Sequence, residues 1–188
     1  SLTAIGFGHS EELALKVPSG TSGGRALWQD FAARIDTYDR ARNFPAVKGP
    51  SYLGVHLRFG TLSIRELARD AYERMQAGSP GAATWLSELI WRDFYQQLMA
   101  HFPHAMERSF KPAYDAIAWE TGAQADALWT AWQTGQTGYP LVDAAMEQLN
   151  QTGYMHNRLR MVVASFLVKD LGLDWRRGEA YFAELLND

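Results

Sequence analysis

The sequence predicts an all-α fold, and two observations carry that prediction. Apolar residues recur at the three-and-four spacing of an amphipathic helix in one segment after another. No stretch of useful length alternates apolar and polar residues, as a half-buried strand does. Proline and glycine mark the ends of these segments, so about seven helices without an internal repeat are expected.

The composition is that of one folded domain. The 188 residues include 47% apolar and 21% charged residues, with a net charge of −3 and no cysteine. These values exclude a disordered chain, a disulfide scaffold and thiolate metal sites, and they agree with a cytoplasmic location. No apolar run reaches the length of a membrane span. The negative charge argues against nucleic-acid binding by bulk charge, so any phosphate site must be local.

The beginning of the chain predicts a linker. Residues 1–24 are rich in glycine, serine and threonine, which is typical of a segment between domains. We therefore expect a further domain before residue 1 and a helical domain over 25–188.

The first helix is predicted to start at Arg25. Apolar residues at four-residue intervals begin at Leu27, and the helix should end before Pro45. The stretch 43–60 is rich in proline and glycine, which predicts a loop with a short helix around 55–59.

Two longer helices are predicted to follow. Ser63 and Glu66 form a capping box, in which each side chain would satisfy a backbone N–H group at the start of a helix over 64–76. Pro80 suits the first turn of the longest helix, which keeps its apolar spacing to about His101.

The second half predicts four more helices after a packed, irregular stretch. The first of them begins at Ala123 and is followed by Gly135. The second begins at Pro140 and is followed by Gly153. The predicted ranges are 123–134, 140–152, 155–171 and 176–186.

One face of the longest helix is polar and aromatic. Glu88, Arg92 and Tyr95 share it, with Trp91 at its edge. An exposed ion pair between Glu88 and Arg92 is the simplest interpretation, worth a few tenths of a kcal/mol. The ring of Trp91 favours a second interpretation, in which a flat ligand stacks on this face.

A second cluster of polar residues lies at the start of the helix that follows Gly153. His156, Asn157, Arg158 and Arg160 lie here, and polar groups at a helix start favour recognition of an anion or an amide. His156 has no second histidine at metal spacing and is interpreted as structural, so no metal site is expected. The motifs of P-loop NTPases, GxSxG hydrolases and Rossmann domains are missing from the sequence.

Taken together, four motifs resemble the helical FAD-binding domain of DNA photolyases and cryptochromes. They are YDRARNFP at 38–45, WLSELIWRDFY at 85–95, TGYPLVDAAM at 137–146 and GYMHNRLRM at 153–161. The resemblance runs from about residue 25 to the end. It implies a domain that is incomplete at its C-terminal end, because the family's flavin-binding stretch continues beyond Asp188. It also implies an antenna domain before residue 1, with a pigment of unknown type.

Within that family the chain most resembles class I cyclobutane pyrimidine dimer photolyases. The resemblance implies a lyase that splits dimers in DNA by electron transfer from photoexcited reduced FAD. A cryptochrome-like blue-light photosensor with the same flavin and tryptophan chain is the alternative. The 188-residue chain alone is expected to be inactive and to self-associate through uncovered apolar surface.

The resemblance also implies individual roles. The residues expected to act on the dimer are Glu88, Trp91, Asn157 and Met161. Those expected to bind FAD are Tyr38, Ser51, Tyr52, Leu53, Gly54, Arg92, Asn157, Arg160 and Asp188, with Asp188 as the partner of Arg160. Those expected to contact DNA are Arg42, Glu88, Trp91, Tyr95, Asn157 and Arg158. Electron transfer to the flavin is expected to involve Trp119 and Trp175.

Overall fold

The computed structural model describes residues 18–188, which form nine α-helices and no strand. The helices are α1 (Gly20–Ala32), α2 (Tyr38–Ala41), α3 (Gly54–Arg58), α4 (Ile64–Gln76), α5 (Pro80–His101), α6 (Ala123–Thr134), α7 (Pro140–Thr152), α8 (Asn157–Ser165) and α9 (Trp175–Leu185). A π-helical turn, Phe166–Asp170, continues α8. The all-α prediction is confirmed. None of the helices in this part of the chain is long and apolar enough to cross a membrane.

Two separate cores hold the helices. The first is built by α1 to α5 around Phe31 and Trp85, and the second by α6 to α9 around Trp132 and Met146. Trp132 is fully buried, and its indole N–H donates to the Val163 carbonyl at 3.0 Å. That bond avoids the cost of an unsatisfied polar group inside the second core.

The helices α4 to α7 have the bounds that the sequence predicted. Pro80 occupies the first turn of α5, and the Ser79 hydroxyl accepts the Ala82 N–H. Gly135 and Gly153 follow the last residues of α6 and α7 in the left-handed conformation, each with a φ of +65°. These are the positions where glycine avoids the strain that a Cβ would bring.

The start of α1 differs from the prediction. The helix begins at Gly20 instead of Arg25, so the last five residues of the expected linker are helical. The glycines here serve close packing, since a Cβ on Gly23 would lie 2.4 Å from the Pro18 carbonyl and one on Gly24 would lie 2.8 Å from Leu62. Residues 1–17 of the expected linker lie outside the described residues.

Three other local predictions are corrected. The Ser63 hydroxyl makes no capping hydrogen bond, so the predicted capping box is not formed; burial of Leu67 in the first core holds this end of α4. The predicted helix over 155–171 starts two residues later, because His156 caps it. The last helix starts one residue earlier than 176, because the Asp174 carboxylate accepts the Arg176 N–H at 3.0 Å.

One carboxylate fixes the turn between α6 and α7. Asp143 accepts the N–H and the hydroxyl of Thr137, at 2.8 and 2.5 Å, and the N–H of Gly138 at 3.0 Å. Burial works to raise the pKa of Asp143, but these hydrogen bonds outweigh it and leave the pKa below the usual 3.8. The ionised carboxylate is therefore the form that holds the turn.

We expect Asp143→Asn to lower the free energy of unfolding at pH 7 by roughly 1–2 kcal/mol, because an amide replaces a carboxylate that accepts three bonds. The folded pKa is depressed, so this stabilisation is present above about pH 3.8 and is lost as the pH falls through the folded pKa. Urea unfolding at pH 7 and in acid measures both effects. The control is Glu147→Gln, an exposed acid on the same helix. If Asp143→Asn lowered the free energy of unfolding as much in acid as at pH 7, the ionised Asp143 carboxylate would not be what holds the turn.

Candidate functional site

A cleft of about 260 Å³ lies where α2, α3, α5 and α8 meet, between the two cores. Most of the residues that the sequence singled out line it, although they are spread from residue 38 to residue 188. They are Tyr38, Arg42, Ser51, Tyr52, Leu53, Gly54, Glu88, Arg92, Asn157, Arg158, Arg160 and Asp188.

Five of the singled-out residues lie outside the lining of the cleft, and three of them are on exposed surface. Trp91, Tyr95 and Met161 are all more than half exposed. The Trp91 ring stacks on that of Tyr95 with 5.9 Å between centroids, and it meets the edge of Phe94 at 5.4 Å. This exposed group of rings on α5 offers flat faces to a ligand.

The two tryptophans predicted for electron transfer lie elsewhere. Trp175 lines a different cleft of about 550 Å³, beside Trp132 and Phe182 of the second core. The Trp119 indole N–H is buried without a hydrogen-bond partner. Neither tryptophan lines the first cleft.

The ion pair on α5 is not the one that spacing suggested. Glu88 pairs with Arg42, which reaches across from the end of α2 with its guanidinium over the Tyr38 ring. Arg92 donates to the Leu57 carbonyl at 3.2 Å. That carbonyl belongs to the last turn of α3, where carbonyls lack helical partners and attract cations.

Tyr38 is held as a neutral phenol at the cleft wall. Burial, together with the nearby Glu88 charge, raises its pKa to about 12. Its hydroxyl is protonated at neutral pH, as that of a tyrosine with the ordinary pKa also is, and can act as a donor.

The loop that precedes α3 carries an unusual backbone. Tyr52 has a φ of +57°, which is uncommon for a residue other than glycine and costs energy. Its ring lies 5.5 Å from the ring of Tyr154, whose pKa burial raises. The Ser51 hydroxyl accepts the Leu53 N–H at 3.4 Å. Two aromatic rings and a short polar loop thus form one wall of the cleft.

An ion pair lies against the same loop. Arg160 pairs with Asp188 at 2.8 Å, as the resemblance implied, and its Nε donates to the Met155 carbonyl at 2.8 Å. The Asp188 carboxylate also lies against Gly54, where a Cβ would approach its Oδ2 to 2.5 Å. Gly54 is therefore required for the close approach of the loop and Asp188.

His156 takes part in the cleft, although the sequence assigned it to structure alone. It is 4% exposed, and its Nδ1 accepts the Arg158 N–H at 3.2 Å to cap α8. Burial and the charges of Arg158 and Arg160 lower the pKa of His156, so the ring is neutral at pH 7. The ring lies near the Arg42 backbone, but Nε2 has no hydrogen-bond partner. In the sequence, its position directly before the start of a helix could have indicated its capping role.

The donor set fits a ligand that combines phosphates with flat rings. Guanidinium groups and the Ser51 hydroxyl are donors suited to phosphate oxygens. The rings of Tyr38, Tyr52, Trp85 and Tyr154 line the same cleft and suit a planar heterocycle. Within residues 18–188 no three or more acidic or histidine side chains cluster as metal ligands would.

Comparison with known proteins gives consistent matches. Residues 85–188 match the family model described as the FAD binding domain of DNA photolyase. A deoxyribodipyrimidine photo-lyase of Escherichia coli is 51% identical over 154 residues, which cover 80% of this chain and 32% of that protein. The chain spans 26% to 40% of the length of such curated relatives.

Solved structures agree with these matches. A bacterial class III photolyase from Agrobacterium tumefaciens superposes with a TM-score of 0.91 at 33% identity, over 100% of this chain and 40% of that one. A cryptochrome from Synechocystis superposes with a TM-score of 0.82 at 32% identity, over 97% and 38%.

We expect Gly54→Ala to destabilise the protein by about 1 kcal/mol or more, because the new Cβ would displace the Asp188 carboxylate. In an Asp188→Gly background the same change should be neutral or stabilising, since alanine is the better helix former. A double-mutant cycle from urea unfolding measures this coupling. If Gly54→Ala lowered the free energy of unfolding equally in both backgrounds, its effect would not arise from contact with the Asp188 side chain.

Proposed function

The chain belongs to the DNA photolyase and cryptochrome family, and we propose that it is the flavin-binding part of an enzyme that splits cyclobutane pyrimidine dimers in DNA under light. The observation that carries the proposal is the convergence of the implied cofactor and DNA residues on one cleft. The photo-lyase names of the curated relatives support the carbon–carbon lyase activity, which would be that of the whole protein.

The proposed cofactor is FAD. When bound, reduced FAD would supply the electron under light, and the chain would bind and orient it. Tyr38, the loop 51–54 and Arg92 would take part in holding the cofactor, together with Asn157, Arg160 and Asp188. The fit rests on the donors, the planar rings and the close approach at Gly54 described above.

The proposed DNA face adjoins the same cleft. Arg42 and Arg158 would contact backbone phosphates, and Arg158 is already held by two hydrogen bonds to Asn43, at 3.1 and 2.9 Å. Trp91, with Tyr95 and Met161 also exposed, would stack on a flipped-out base. The Arg42 pairing would orient the Glu88 carboxylate beside the cleft until the dimer arrives.

Several narrower predictions accompany this proposal. Trp119 and Trp175 would transfer electrons to the flavin. Met161 and Asn157 would contact the pyrimidine dimer. The residues before α1 would link this part to an antenna domain with its own pigment. A photolyase from Sulfolobus tokodaii with two FAD molecules illustrates a light-harvesting cofactor in a relative. The cytoplasmic location and the self-association of the isolated chain stay predictions.

A photosensor is the second candidate, because the Synechocystis cryptochrome shares this fold over nearly the whole chain. The same cleft would then bind flavin, and the rings on α5 would not serve a DNA base. Repair activity separates the two candidates.

The whole protein that carries this chain should restore dimer-containing DNA under blue light and leave it unchanged in the dark. Absorbance in the flavin band and a count of remaining dimers measure cofactor and repair together. A yellow protein that repairs no dimers would favour the photosensor, whereas a protein without flavin would contradict both proposals.

We expect Trp91→Ala to weaken binding to dimer-containing DNA by about 10- to 100-fold, since stacking on one base is worth roughly 1–3 kcal/mol. Binding to undamaged DNA should change little. Ile90→Ala is the matched control, because Ile90 is an exposed neighbour on the same helix. An equal loss of affinity for both DNAs would make Trp91 a packing residue.

A further inference from the structure

Arg34 uses every N–H group that an arginine has. Its Nη1 donates to the carbonyls of Lys48 at 2.6 Å and Gly49 at 2.9 Å, and its Nη2 donates to the Pro50 carbonyl at 2.8 Å. Nε and Nη2 also donate to the Asp30 carboxylate, at 3.3 and 3.2 Å. Only the planar guanidinium offers five donors in a fixed arrangement, so no other side chain could make this set.

This contact is anchored to the first core. The Arg34 guanidinium lies 5.0 Å from the ring centre of Phe31, which is fully buried. Lys48 pairs with the same Asp30 carboxylate at 2.8 Å. The hydrogen bond from Lys48 and those from Arg34 lower the pKa of Asp30, so the carboxylate is ionised at neutral pH. The segment 48–50 is thus tied to the end of α1.

The tied segment runs directly into the wall of the cleft. Residues 51–54 follow it and line the cleft. On its other side the segment packs closely, since a Cβ on Gly49 would lie 2.3 Å from the Ala41 carbonyl oxygen. The positive φ of Tyr52 persists only where the surroundings fix the chain on both sides of it.

We propose that Arg34 is a positioning residue that holds the loop 51–54 in the shape that receives the phosphates of FAD. The inference rests on the proposed flavin function. Arg34 does not line the cleft, so it acts through the loop. Loss of the three carbonyl bonds would let the loop sample other shapes, and FAD would then bind only the fraction of molecules in the competent one.

The test is Arg34→Lys in the whole protein, because lysine keeps the charge but cannot reach three carbonyls at once. We expect FAD to bind about tenfold more weakly, mainly through a slower association rate. Amide hydrogen exchange in residues 49–54 should become faster, and saturating FAD should restore its protection. Arg25→Lys is the matched control, since Arg25 is exposed on α1, and it should change neither quantity.

FAD affinity and amide exchange in Arg34→Lys together decide whether Arg34 positions the loop. Unchanged FAD affinity and unchanged exchange in 49–54 would overturn it. Faster exchange throughout the protein, with a lower melting temperature and no selective effect on the loop, would also overturn it, because Arg34 would then be structural alone. If the parent protein bound no FAD, the proposed function would fail separately. Unchanged loop exchange in the variant would then show that Arg34 does not hold the loop 51–54, and faster loop exchange would support that role of Arg34 alone.

Discussion

Polar contacts join the two cores, and the candidate site depends on them. The apolar clusters of α1 to α5 and of α6 to α9 are separate. Between them run the Arg158 bonds to Asn43, the Asp188 contact with Gly54 and the bond of Arg58 to the Leu186 carbonyl at 3.2 Å. Hydrogen bonds are directional, whereas apolar packing is not. These polar contacts therefore help to set how the two halves of the cleft lie relative to each other, together with the contact between the Tyr52 and Tyr154 rings.

The pairing of side chains explains how the cleft can hold several charged groups close together. Its charged groups are paired with one another or with backbone carbonyls, as with Arg42 and Glu88, Arg160 and Asp188, and Arg92 and the Leu57 carbonyl. Each pair compensates part of the cost of removing charge from water. An anionic ligand that bonded to these guanidinium groups would have to displace partners they already have, among them the carboxylates of Glu88 and Asp188.

The sequence predicted those features that depend on local chemistry. Helix bounds from Ile64 to Thr152 followed from proline, glycine and apolar spacing, and long motifs identified most of the cleft lining. Contacts between distant segments could not be read in this way. The partner of Glu88 lies 46 residues away, and the carbonyls held by Arg34 lie 14 to 16 residues ahead. The spacing along α5 suggested Arg92 as the ion-pair partner of Glu88. Spacing within one helix contains no information about the segments that pack against it, so Arg42 could not be found in this way.

The π-helical turn after α8 has a geometric consequence for Trp175. In this turn the Leu171 N–H bonds to the Phe166 carbonyl five residues earlier, which accommodates one residue more than an α-helical turn does. Leu167 stays in the second core, and the Leu173 N–H returns to its carbonyl at 3.1 Å. Removing one residue from 166–170 would rotate everything that follows by about 100° around the helix axis. The indole of Trp175 would then leave its cleft, so this turn sets the direction in which the last helix departs.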